Sequence, residues 1–495
     1  NRQTSTNFNF CILMFEVEPT IILGGPGTGK TTKLISIVMK EMRSGIIPER
    51  IAYVSFTRQA AYGARKRVEL SEKQTPWFRT LHSMSFRRLG MSRTEVMDNT
   101  HYEKVSEMLG MRFTGFIDLE SPAHGPEGNK CLAIIEYSRN TLQDLKQAWS
   151  KHGSSIEWHK LKRFYDTLIK YKKDMQLIDY SDMLEKFVES NAVVDVDIAI
   201  IDEAQDLTPL QWKVAQTAFS KSKKIYVGGD DDQAIYKWSG ADVDTFINLK
   251  GKVEILKKSH RQPKEVFKQS SLILKRISKR RNKEYEPSDR TGQVFWHNRV
   301  EGIDLSKGSW LLLGRNYYLL RHYEMMVREQ GYLYSTKGKL SFDKNLIRAI
   351  QSYESLRKGN SIIGTEMNLV LKKLKIKTKV DGSKNYNAKS LDIDTSKIWH
   401  DAFKGVNVKD REYLVACLRR GEDPKSEPRI RIDTIHASKG AEADNVIVLL
   451  DISRQSYIGS QLTPDDEHRV FYVAMTRAIN NLHIVQPQTS MFYRV

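Results

Sequence analysis

A glycine-rich segment behind a short apolar run constrains the fold of this chain more than any other feature. Residues 21–32 read Ile-Ile-Leu-Gly-Gly-Pro-Gly-Thr-Gly-Lys-Thr-Thr and contain the pattern G-x(4)-G-K-T. This order predicts a buried strand, a loop, and a helix that begins near Lys30. Glycines let several backbone N–H groups point at one anion, and the helix adds the positive end of its dipole. The segment therefore predicts an α/β domain that binds the phosphates of a nucleoside triphosphate.

The side chains of this loop carry predicted roles as well. Lys30 is expected to reach the β- and γ-phosphates, and the Thr31 hydroxyl is expected to hold Mg²⁺. The predicted nucleotide-binding residues are Gly24, Gly25, Pro26, Gly27, Thr28, Gly29, Lys30, Thr31 and Thr32. The predicted cofactors are ATP and Mg²⁺, but the loop does not indicate what the energy of the nucleotide is used for.

The charge of the chain predicts a polyanionic partner. Its 495 residues carry a formal net charge of +19, and such a field attracts phosphate backbones and releases their counterions. Nucleic acid is favoured over an acidic membrane, because no basic amphipathic helix stands out. The length predicts about three to four domains.

Cysteine usage and an apolar stretch near the start bear on the cellular setting. Cys11, Cys131 and Cys417 are odd in number and lack metal-ligand spacing, which argues against a disulfide framework or a zinc site. The apolar residues 10–15 are too short for a membrane span. We therefore expect a reducing, intracellular setting without a membrane partner. Residues before Met14 are expected to be dispensable for ATP hydrolysis.

A second buried strand is predicted at residues 51–57, followed by a basic helix. At the end of the strand, Phe56, Thr57 and Arg58 would offer a ring, a hydroxyl and a cation to a nucleic-acid strand. The alternative is a packed Phe56 beside a solvated helix face. His82 lies in a segment, Thr-Leu-His-Ser, that repeats this polar and apolar character.

An inserted helical domain is predicted at about residues 88–182, which are charged and rich in aromatic residues. Most of the aromatic side chains are expected in its core. Two interpretations stay open for its basic residues, a solvated face or a groove for nucleic acid. The aromatic residues are Trp149, Trp158, Phe164, Tyr165 and Tyr171, and the basic ones are Lys151, Lys160, Lys162, Arg163, Lys170, Lys172 and Lys173.

Acidic and amide residues follow two further predicted strands. The strand at 198–201 leads to Asp202 and Glu203, and the strand at 224–227 leads to Gln233. Ligands of open parallel sheets bind at the carboxyl ends of the strands. Asp202 is expected to hold Mg²⁺, directly or through water, and Glu203 to orient or deprotonate the attacking water. Gln233 is expected to sense the γ-phosphate.

Two aromatic residues follow Gln233 closely. Tyr236 and Trp238 offer flat faces on which bases can stack. The alternative for both rings is packing in the core.

Taken together, these segments resemble the motifs of superfamily 1 helicases, specifically the UvrD/Rep/PcrA-like group. The phosphate loop resembles motif I, and later segments follow in the family's order across nearly the whole chain. Their positions are 53–68 (motif Ia), 79–89 (Ib), 202–211 (II, DEAQDLTPLQ), 229–242 (III), 256–263 (IV, LKKSHRQP), 311–338 (the strand and helix after it), 434–444 (V, TIHASKGAEAD) and 467–478 (VI, EHRVFYVAMTRA). Each motif alone is modest, whereas eight in this order are specific.

The resemblance implies an α/β fold class with two RecA-like P-loop NTPase domains, in which helices flank parallel sheets. Each domain is expected to carry a mainly helical inserted domain, and ATP to bind in the cleft between the two. The implied boundaries are 1–88 and 184–255 for RecA-like domain 1A, 89–183 for helical insert 1B, 256–345 and 428–495 for RecA-like domain 2A, and 346–427 for a reduced insert 2B. The small size of the second insert threatens unwinding more than translocation.

The resemblance also implies roles for residues of the second half. Arg261 and Arg477 would act as arginine fingers that contact the γ-phosphate when the cleft closes. The further implied contacts are Arg315 and Glu442 with the nucleotide, and His436 and Lys439 with nucleic acid.

The sequence departs from the family pattern at three places. His260 and Gln262 replace a tyrosine and a serine on either side of Arg261, so base stacking there is expected to be weaker. Ser239 replaces an arginine of motif III. No copy of the adenine-reading glutamine motif is found in residues 1–20, so nucleotide selectivity is expected to be relaxed.

The implied function is an ATP-dependent DNA helicase that translocates 3′ to 5′ on single-stranded DNA and unwinds duplex. Single-stranded DNA and junctions of single and double strands are the expected partners, in a bacterial or phage-infected cell. Two alternatives stay open: a single-strand translocase that displaces proteins without strong unwinding, and a nucleotide-gated DNA-binding switch. RNA as the track, and the choice among replication, repair and recombination, are not determined by the sequence.

Overall fold

The computed structural model describes residues 15–114, 126–153 and 155–495. The chain forms two compact units. Unit 1 contains the described residues up to Gln293 together with Gln455–Arg477 and Val495, and unit 2 contains Val294–Arg454 and Ala478–Arg494. The expectation for residues before Met14 lies outside the described residues.

The strands and helices of the described residues have the following bounds. The strands are β1 (Thr20–Gly24), β2 (Ile51–Ser55), β3 (Phe78–Arg79), β4 (Ile198–Asp202), β5 (Lys224–Gly229), β6 (Lys252–Leu256), β7 (Gln293–His297), β8 (Trp310–Gly314), β9 (Tyr334–Thr336), β10 (Lys339–Leu340), β11 (Ile362–Ile363), β12 (Asn385–Tyr386), β13 (Ile430–Thr434), β14 (Ala443–Leu449) and β15 (Ala478–Val485). The helices are α1 (Lys30–Arg43), α2 (Arg58–Val68), α3 (Leu81–Arg88), α4 (Asn99–Leu109), α5 (Glu127–Asn140), α6 (Leu145–His152), α7 (Trp158–Asp174), α8 (Tyr180–Glu189), α9 (Pro209–Ala218), α10 (Val243–Asn248), α11 (Lys264–Leu274), α12 (Tyr317–Glu329), α13 (Lys344–Arg357), α14 (Gly364–Leu374), α15 (Trp399–Ala402), α16 (Val408–Arg419), α17 (Arg454–Leu462) and α18 (Pro464–Met475). In the described residues, no helix combines the length and apolarity that crossing a membrane requires.

Unit 1 is built on a six-stranded sheet in the order β3-β2-β4-β5-β1-β6. All of its neighbouring strands are parallel. The central strands are apolar because helices cover both faces of a parallel sheet, and every residue of β2 and β4 is buried. The strands predicted at 51–57, 198–201 and 224–227 are thereby confirmed as β2, β4 and β5.

The strand order of unit 1 brings the predicted functional segments to one edge. β5 pairs with β4 on one side and with β1 on the other. Because these strands run in the same direction, the segments after Gly24, Asp202 and Gly229 emerge together at the carboxyl edge. The phosphate loop then leads into α1, which begins at Lys30 as the sequence predicts.

Among its described residues, the region predicted as a helical insert contains α4 to α7, which share their own hydrophobic core. Phe164 and Tyr171 are buried in that core, and Trp149, Trp158 and Tyr165 pack against it, which confirms the expectation for the aromatic residues. For one basic residue, Lys172, the prediction of a solvated face or a groove is wrong. Lys172 lies buried, with Nζ 2.8 Å from Asp182 Oδ2 and also paired with Asp179, because it neutralises carboxylates at the start of α8.

Unit 2 is built on a seven-stranded sheet in the order β10-β9-β13-β8-β14-β15-β7. β8, β13, β14 and β15 are parallel to their neighbours in this set, and β10 is antiparallel to β9. The region predicted as the second insert contains α14 to α16 and most of α13. Its buried residues, such as Tyr353 and Phe403, belong to the same hydrophobic core as Leu312 and Ile432 of the sheet.

The two compact units differ from the predicted domain division. The predicted second RecA-like domain includes residues 256–293 and Gln455–Arg477, whereas the structure groups these residues with unit 1. The reason is packing: α18 packs against α11, and the segment around Ser259 is hydrogen bonded to the phosphate loop. The division into RecA-like domains and inserts stays a prediction.

Candidate functional site

The phosphate loop has the backbone that an anion cradle requires. Gly27 and Gly29 adopt φ angles of 72° and 84°, a region that residues with a side chain rarely enter. A Cβ atom on Gly27 would lie 2.3 Å from Cβ of Arg261. Nζ of Lys30 donates to the carbonyl oxygens of Gly24 at 2.7 Å and of Gly25 at 3.3 Å, so its ammonium group lies against the loop.

Thr31 and Asp202 bring two oxygen atoms together beside the loop. The Thr31 hydroxyl donates to Asp202 Oδ2 at 3.1 Å, and the Tyr53 hydroxyl donates to the same oxygen at 2.6 Å. Burial, followed by the charge of neighbouring Glu203, raises the pKa of Asp202 to about 6. A hydroxyl and a carboxylate are hard oxygen ligands of the kind that Mg²⁺ prefers, so the pair fits the predicted metal.

Glu203 is held in an unusual backbone conformation. Its φ and ψ angles are 55° and 40°, the left-handed region that a residue with a side chain occupies only where its surroundings hold it there. Its Oε2 accepts a hydrogen bond from Gln205 Nε2 at 2.5 Å. The carboxylate of the predicted general base is therefore fixed by a neighbouring side chain.

Gln233 connects two charged residues of unit 1. Its Nε2 donates to Asp230 Oδ2 at 2.7 Å, and its Oε1 accepts from Arg477 Nη2 at 2.8 Å. Arg477 is 2% exposed, and its Nε donates to the carbonyl of Val473 at 2.9 Å. The segment after β5 and the end of α18 thus meet at this amide.

The segment around Arg261 lies directly on the phosphate loop. Ser259 Oγ donates to the carbonyl of Pro26 at 2.7 Å, and the His260 N–H donates to the carbonyl of Gly27 at 2.8 Å. Arg261 follows at once and is half-buried. The two predicted arginine fingers therefore belong to the same unit as Lys30, Asp202 and Glu203, one next to the loop and one bonded to Gln233.

Three aromatic rings predicted to bind bases form one group. The rings of Phe56 and Tyr236 are stacked, with centroids 5.1 Å apart and planes at 24°, and Trp238 meets Tyr236 edge-on at 6.0 Å. All three are half-buried rather than enclosed in the core. Rings from two distant motifs thus lie together with part of their surface accessible, as a stacking platform requires.

The polar residues near these rings have different environments. Thr57 is exposed and its hydroxyl caps α2 by accepting from the Ala60 N–H at 3.1 Å, while Arg58 is exposed. Burial, and to a smaller extent the charge of Arg58, lowers the pKa of His82 to about 4. His82 is therefore neutral at physiological pH, and any contact it makes with nucleic acid uses a neutral imidazole.

In unit 2, the predicted residues lie at two edges of the sheet. Arg315 follows β8 and His436 follows β13, whose last residue pairs with the last residue of β8. Glu442 precedes β14, whose third residue pairs with the first residue of β8. Arg315 lies five residues beyond Trp310 and Glu442 three residues before its partner Asn445, so at about 3.3 Å per residue the two positions lie roughly 26 Å apart along the strand direction. The structure therefore does not bring these two predicted nucleotide contacts together, and Lys439 lies in the connection between the edges.

Two family models match the chain. The UvrD/REP helicase N-terminal domain matches residues 11–254, and the UvrD-like helicase C-terminal domain matches residues 344–489. This chain belongs to the UvrD/Rep/PcrA-like superfamily 1 helicases.

Curated relatives of this UvrD-like chain include proteins described as ATP-dependent DNA helicase PcrA. The protein from Staphylococcus epidermidis is 24% identical over 294 residues, which are 54% of this chain and 39% of the relative. The protein from Bacillus subtilis is 23% identical over 324 residues, 58% of this chain and 40% of the relative. The chain thus spans about two fifths of the length of the curated relatives it matches.

A similar solved structure is the arterivirus nonstructural protein 10 (helicase) in complex with DNA. It matches with a TM-score of 0.34 and 11% identity, over 95% of this chain and 62% of the viral chain. A TM-score this low carries no conclusion for this UvrD-like chain.

A buried ion cluster beside the site was missed from the sequence. Asp230, Asp231 and Asp232 are fully buried around Lys283, whose Nζ lies 2.8 Å from Asp232 Oδ2 and is also paired with Asp231. Arg280 donates to both oxygens of Asp232 at 2.7 Å. The signal was present as three successive aspartates and the basic run at 279–283, but only the tertiary structure pairs segments so far apart.

Tyr285 is a second residue that sequence analysis did not identify. Its hydroxyl donates to Asp230 Oδ1 at 3.1 Å. A Cβ atom on Gly25 would lie 2.9 Å from its ring. Tyr285 therefore covers the phosphate loop and joins it to the segment after β5.

Proposed function

We propose that this UvrD-like chain is an ATP-driven motor that translocates 3′ to 5′ on single-stranded DNA and unwinds duplex at junctions. One observation supports it most: within unit 1, predicted catalytic residues of four other segments either contact the phosphate loop or are linked to it through the hydrogen bonds of Asp230 and Tyr285. They are Asp202 and Glu203, Gln233, Arg261, and Arg477, in addition to Lys30 and Thr31 of the loop itself. A protein that only binds a nucleotide would not require this set.

In the proposed reaction, Glu203 orients a water molecule and accepts its proton as the water oxygen attacks the γ-phosphorus. The bond from that phosphorus to the bridging oxygen of ADP breaks. Lys30 would leave the carbonyls of Gly24 and Gly25 for the β- and γ-phosphates, while Arg261 and Arg477 stabilise the charge of the transferring group. Donors already fixed in a buried site lower the barrier because they need little reorganisation.

Thr31 and Asp202 are the proposed Mg²⁺ ligands. The two oxygens lie 3.1 Å apart, with Asp202 at the end of β4 and Thr31 in the first turn of α1. When bound, Mg²⁺ would neutralise charge on the β- and γ-phosphates. To bind the metal, the Thr31 hydroxyl would rotate so that a lone pair of its oxygen faces Mg²⁺ and its proton no longer points at Asp202.

The proposed track is a nucleic-acid strand that stacks on Phe56, Tyr236 and Trp238. Family membership and the net charge of +19 support DNA as this partner. Base stacking tolerates any sequence, so sequence preference should be weak. His436 and Lys439 of unit 2 are also proposed as nucleic-acid contacts.

A second candidate is a single-strand translocase without strong unwinding. It is favoured by the second insert, whose buried residues share one core with the sheet of unit 2 instead of forming a separate domain core. A forked duplex with a 3′ tail distinguishes the two candidates when strand separation and single-strand ATPase activity are measured side by side.

The test of the proposed function is DNA-stimulated ATP hydrolysis. Lys30→Ala should abolish turnover, with a loss on the order of 100-fold or more, while binding to single-stranded DNA stays within about twofold. Lys33→Ala, in the same helix but paired with Glu254 at the surface, is the matched control and should keep wild-type turnover. Persistent turnover in Lys30→Ala, or slow wild-type turnover that DNA does not change, would contradict the motor.

A further inference from the structure

Gln205 lies between the two acidic segments of the nucleotide site. It is completely buried. Its Nε2 donates to Glu203 Oε2 at 2.5 Å, and its Oε1 accepts from the backbone N–H of Asp230 at 2.9 Å. One side chain thus joins the residue after β4 to the residue after β5.

The site is shaped to admit this side chain. A Cβ atom on Gly229 would lie 2.5 Å from Gln205 Oε1, so a larger residue there would displace the amide. An amide carries a donor and an acceptor on one terminus, which a carboxylate and a thioether do not. Glutamine is therefore suited to hold an ionised Glu203 on one side and a backbone N–H on the other.

Asp230 also begins the segment that carries Gln233 and Tyr236. Asp230 Oδ2 accepts from Gln233, and Gln233 accepts from Arg477. Tyr236 comes three residues after Gln233 and stacks on Phe56. The segment from Asp230 to Tyr236 contains seven residues, and a 3-10 turn at Asp231–Gln233 makes it compact.

We propose that Gln205 is a positioning residue that orients the Glu203 carboxylate and couples this orientation to strand binding at Tyr236. A strand that stacks on Tyr236 moves the segment after β5, and the Asp230 N–H carries that movement through the Gln205 amide to Glu203. The inference rests on the proposed function, since it assigns Gln205 a role in DNA-stimulated hydrolysis.

The first experiment compares Gln205→Met and Gln205→Glu with the wild type. Methionine keeps the length but makes neither hydrogen bond, and glutamate keeps the acceptor for Asp230 but places a carboxylate against Glu203. Both variants should lower the DNA-saturated kcat on the order of 100-fold, with the KM for ATP and the Kd for DNA within about twofold. The rate of ATP hydrolysis without DNA should fall much less. The stimulation factor, which is the ratio of the DNA-saturated rate to this basal rate, should therefore decrease strongly.

The matched control is Gln211→Glu. Gln211 is also buried in unit 1, but it serves the capping box at the start of α9, where its Oε1 accepts from Thr208 N–H at 3.1 Å. Glutamate serves this box equally well, so the control should keep the wild-type stimulation factor. A merely structural role of Gln205 would instead lower basal and stimulated rates by the same factor, and that result would overturn the proposal.

A double-mutant cycle tests the coupling itself. If Gln205 and Tyr236 act through the same coupling, the double variant Gln205→Met with Tyr236→Ala should be stimulated by DNA as much as the more impaired of the two single variants. Losses that multiply would overturn the coupling. If DNA does not stimulate ATP hydrolysis by the wild type, both the proposed function and this inference are wrong. If DNA stimulates the wild type and Gln205→Met by the same factor, only this inference is wrong.

Discussion

Gly27 is the residue at which the phosphate loop is least able to accept a side chain. It combines a φ angle of 72° with a position where a Cβ atom would lie 2.3 Å from Cβ of Arg261. Both the positive φ angle and the close contact with Arg261 therefore favour glycine at this position. The nucleotide loop and the segment of Arg261 touch at the smallest possible residue.

Gly27→Ala should lower the stability of unit 1 by about 2–4 kcal/mol, since a left-handed alanine and an overpacked contact each cost about 1–2 kcal/mol. Gly45→Ala is the matched control, because Gly45 has a φ angle of 97° but no atom within 4 Å of a built Cβ. The control should show only the backbone cost. Chemical denaturation measures both, and equal losses for the two variants would contradict the close contact.

Asp202 should make Mg²⁺ binding depend on pH. Its raised pKa of about 6 means that the carboxylate is ionised above this pH and protonated below it. Mg²⁺ binds the ionised form, so its apparent affinity should be constant at high pH and fall by up to about tenfold per pH unit below 6. Magnesium titrations of nucleotide binding between pH 5 and 8 measure this.

Asp202→Asn provides the control for that titration. It removes the titrating carboxylate, so Mg²⁺ should bind more weakly and with little dependence on pH across the same range. A wild-type affinity that stays constant from pH 8 down to pH 5 would show that Asp202 keeps an ordinary pKa.

At the scale of elements, buried ion pairs connect the segment between α11 and β7 to the segment after β5. Lys283 and Arg280 neutralise the carboxylates of Asp231 and Asp232. Burial itself raises the pKa of Asp232, whereas the charge of Lys283, acting against burial, lowers the pKa of Asp230. Removal of one partner from such a cluster leaves an uncompensated charge, which is more costly than loss of the contact.

Lys283→Met should therefore destabilise unit 1 by about 3–5 kcal/mol. Lys279→Met is the matched control, because Lys279 Nζ pairs with Asp244 Oδ2 at 2.6 Å on the surface, where ion pairs contribute about 0–1 kcal/mol. Denaturant midpoints of the two variants measure the difference. Similar midpoints would mean that Lys283 is not needed to hold the aspartates.

At the scale of the whole molecule, the net charge of +19 should dominate affinity for DNA. A protein that contacts six to ten phosphates loses roughly 10³–10⁵ in affinity between about 50 and 200 mM salt. We expect a steep loss of this kind for single-stranded DNA, measured by fluorescence anisotropy. The Kd for nucleotide in the phosphate loop should change far less with salt. If the Kd for DNA and the Kd for nucleotide depend equally on salt, the net charge does not dominate DNA binding.

The amino-acid sequence by itself determined the local units of this protein. Apolar runs fixed β2, β4 and β5, and the glycine pattern fixed the loop before Lys30, because burial in a parallel sheet and left-handed backbone angles each admit few residue types. The order of motifs also predicted the family, which the family models confirm.

Only the tertiary structure decided which distant segments meet. The fold pairs Lys283 with the three aspartates and hydrogen bonds Ser259 to the carbonyl of Pro26. It also buries Lys172 and places Gln205 between Glu203 and Asp230. It also separated Arg315 from Glu442 at opposite edges of one sheet. These contacts depend on strand order and on packing between residues far apart in the chain, and neither periodicity nor motif spacing encodes them.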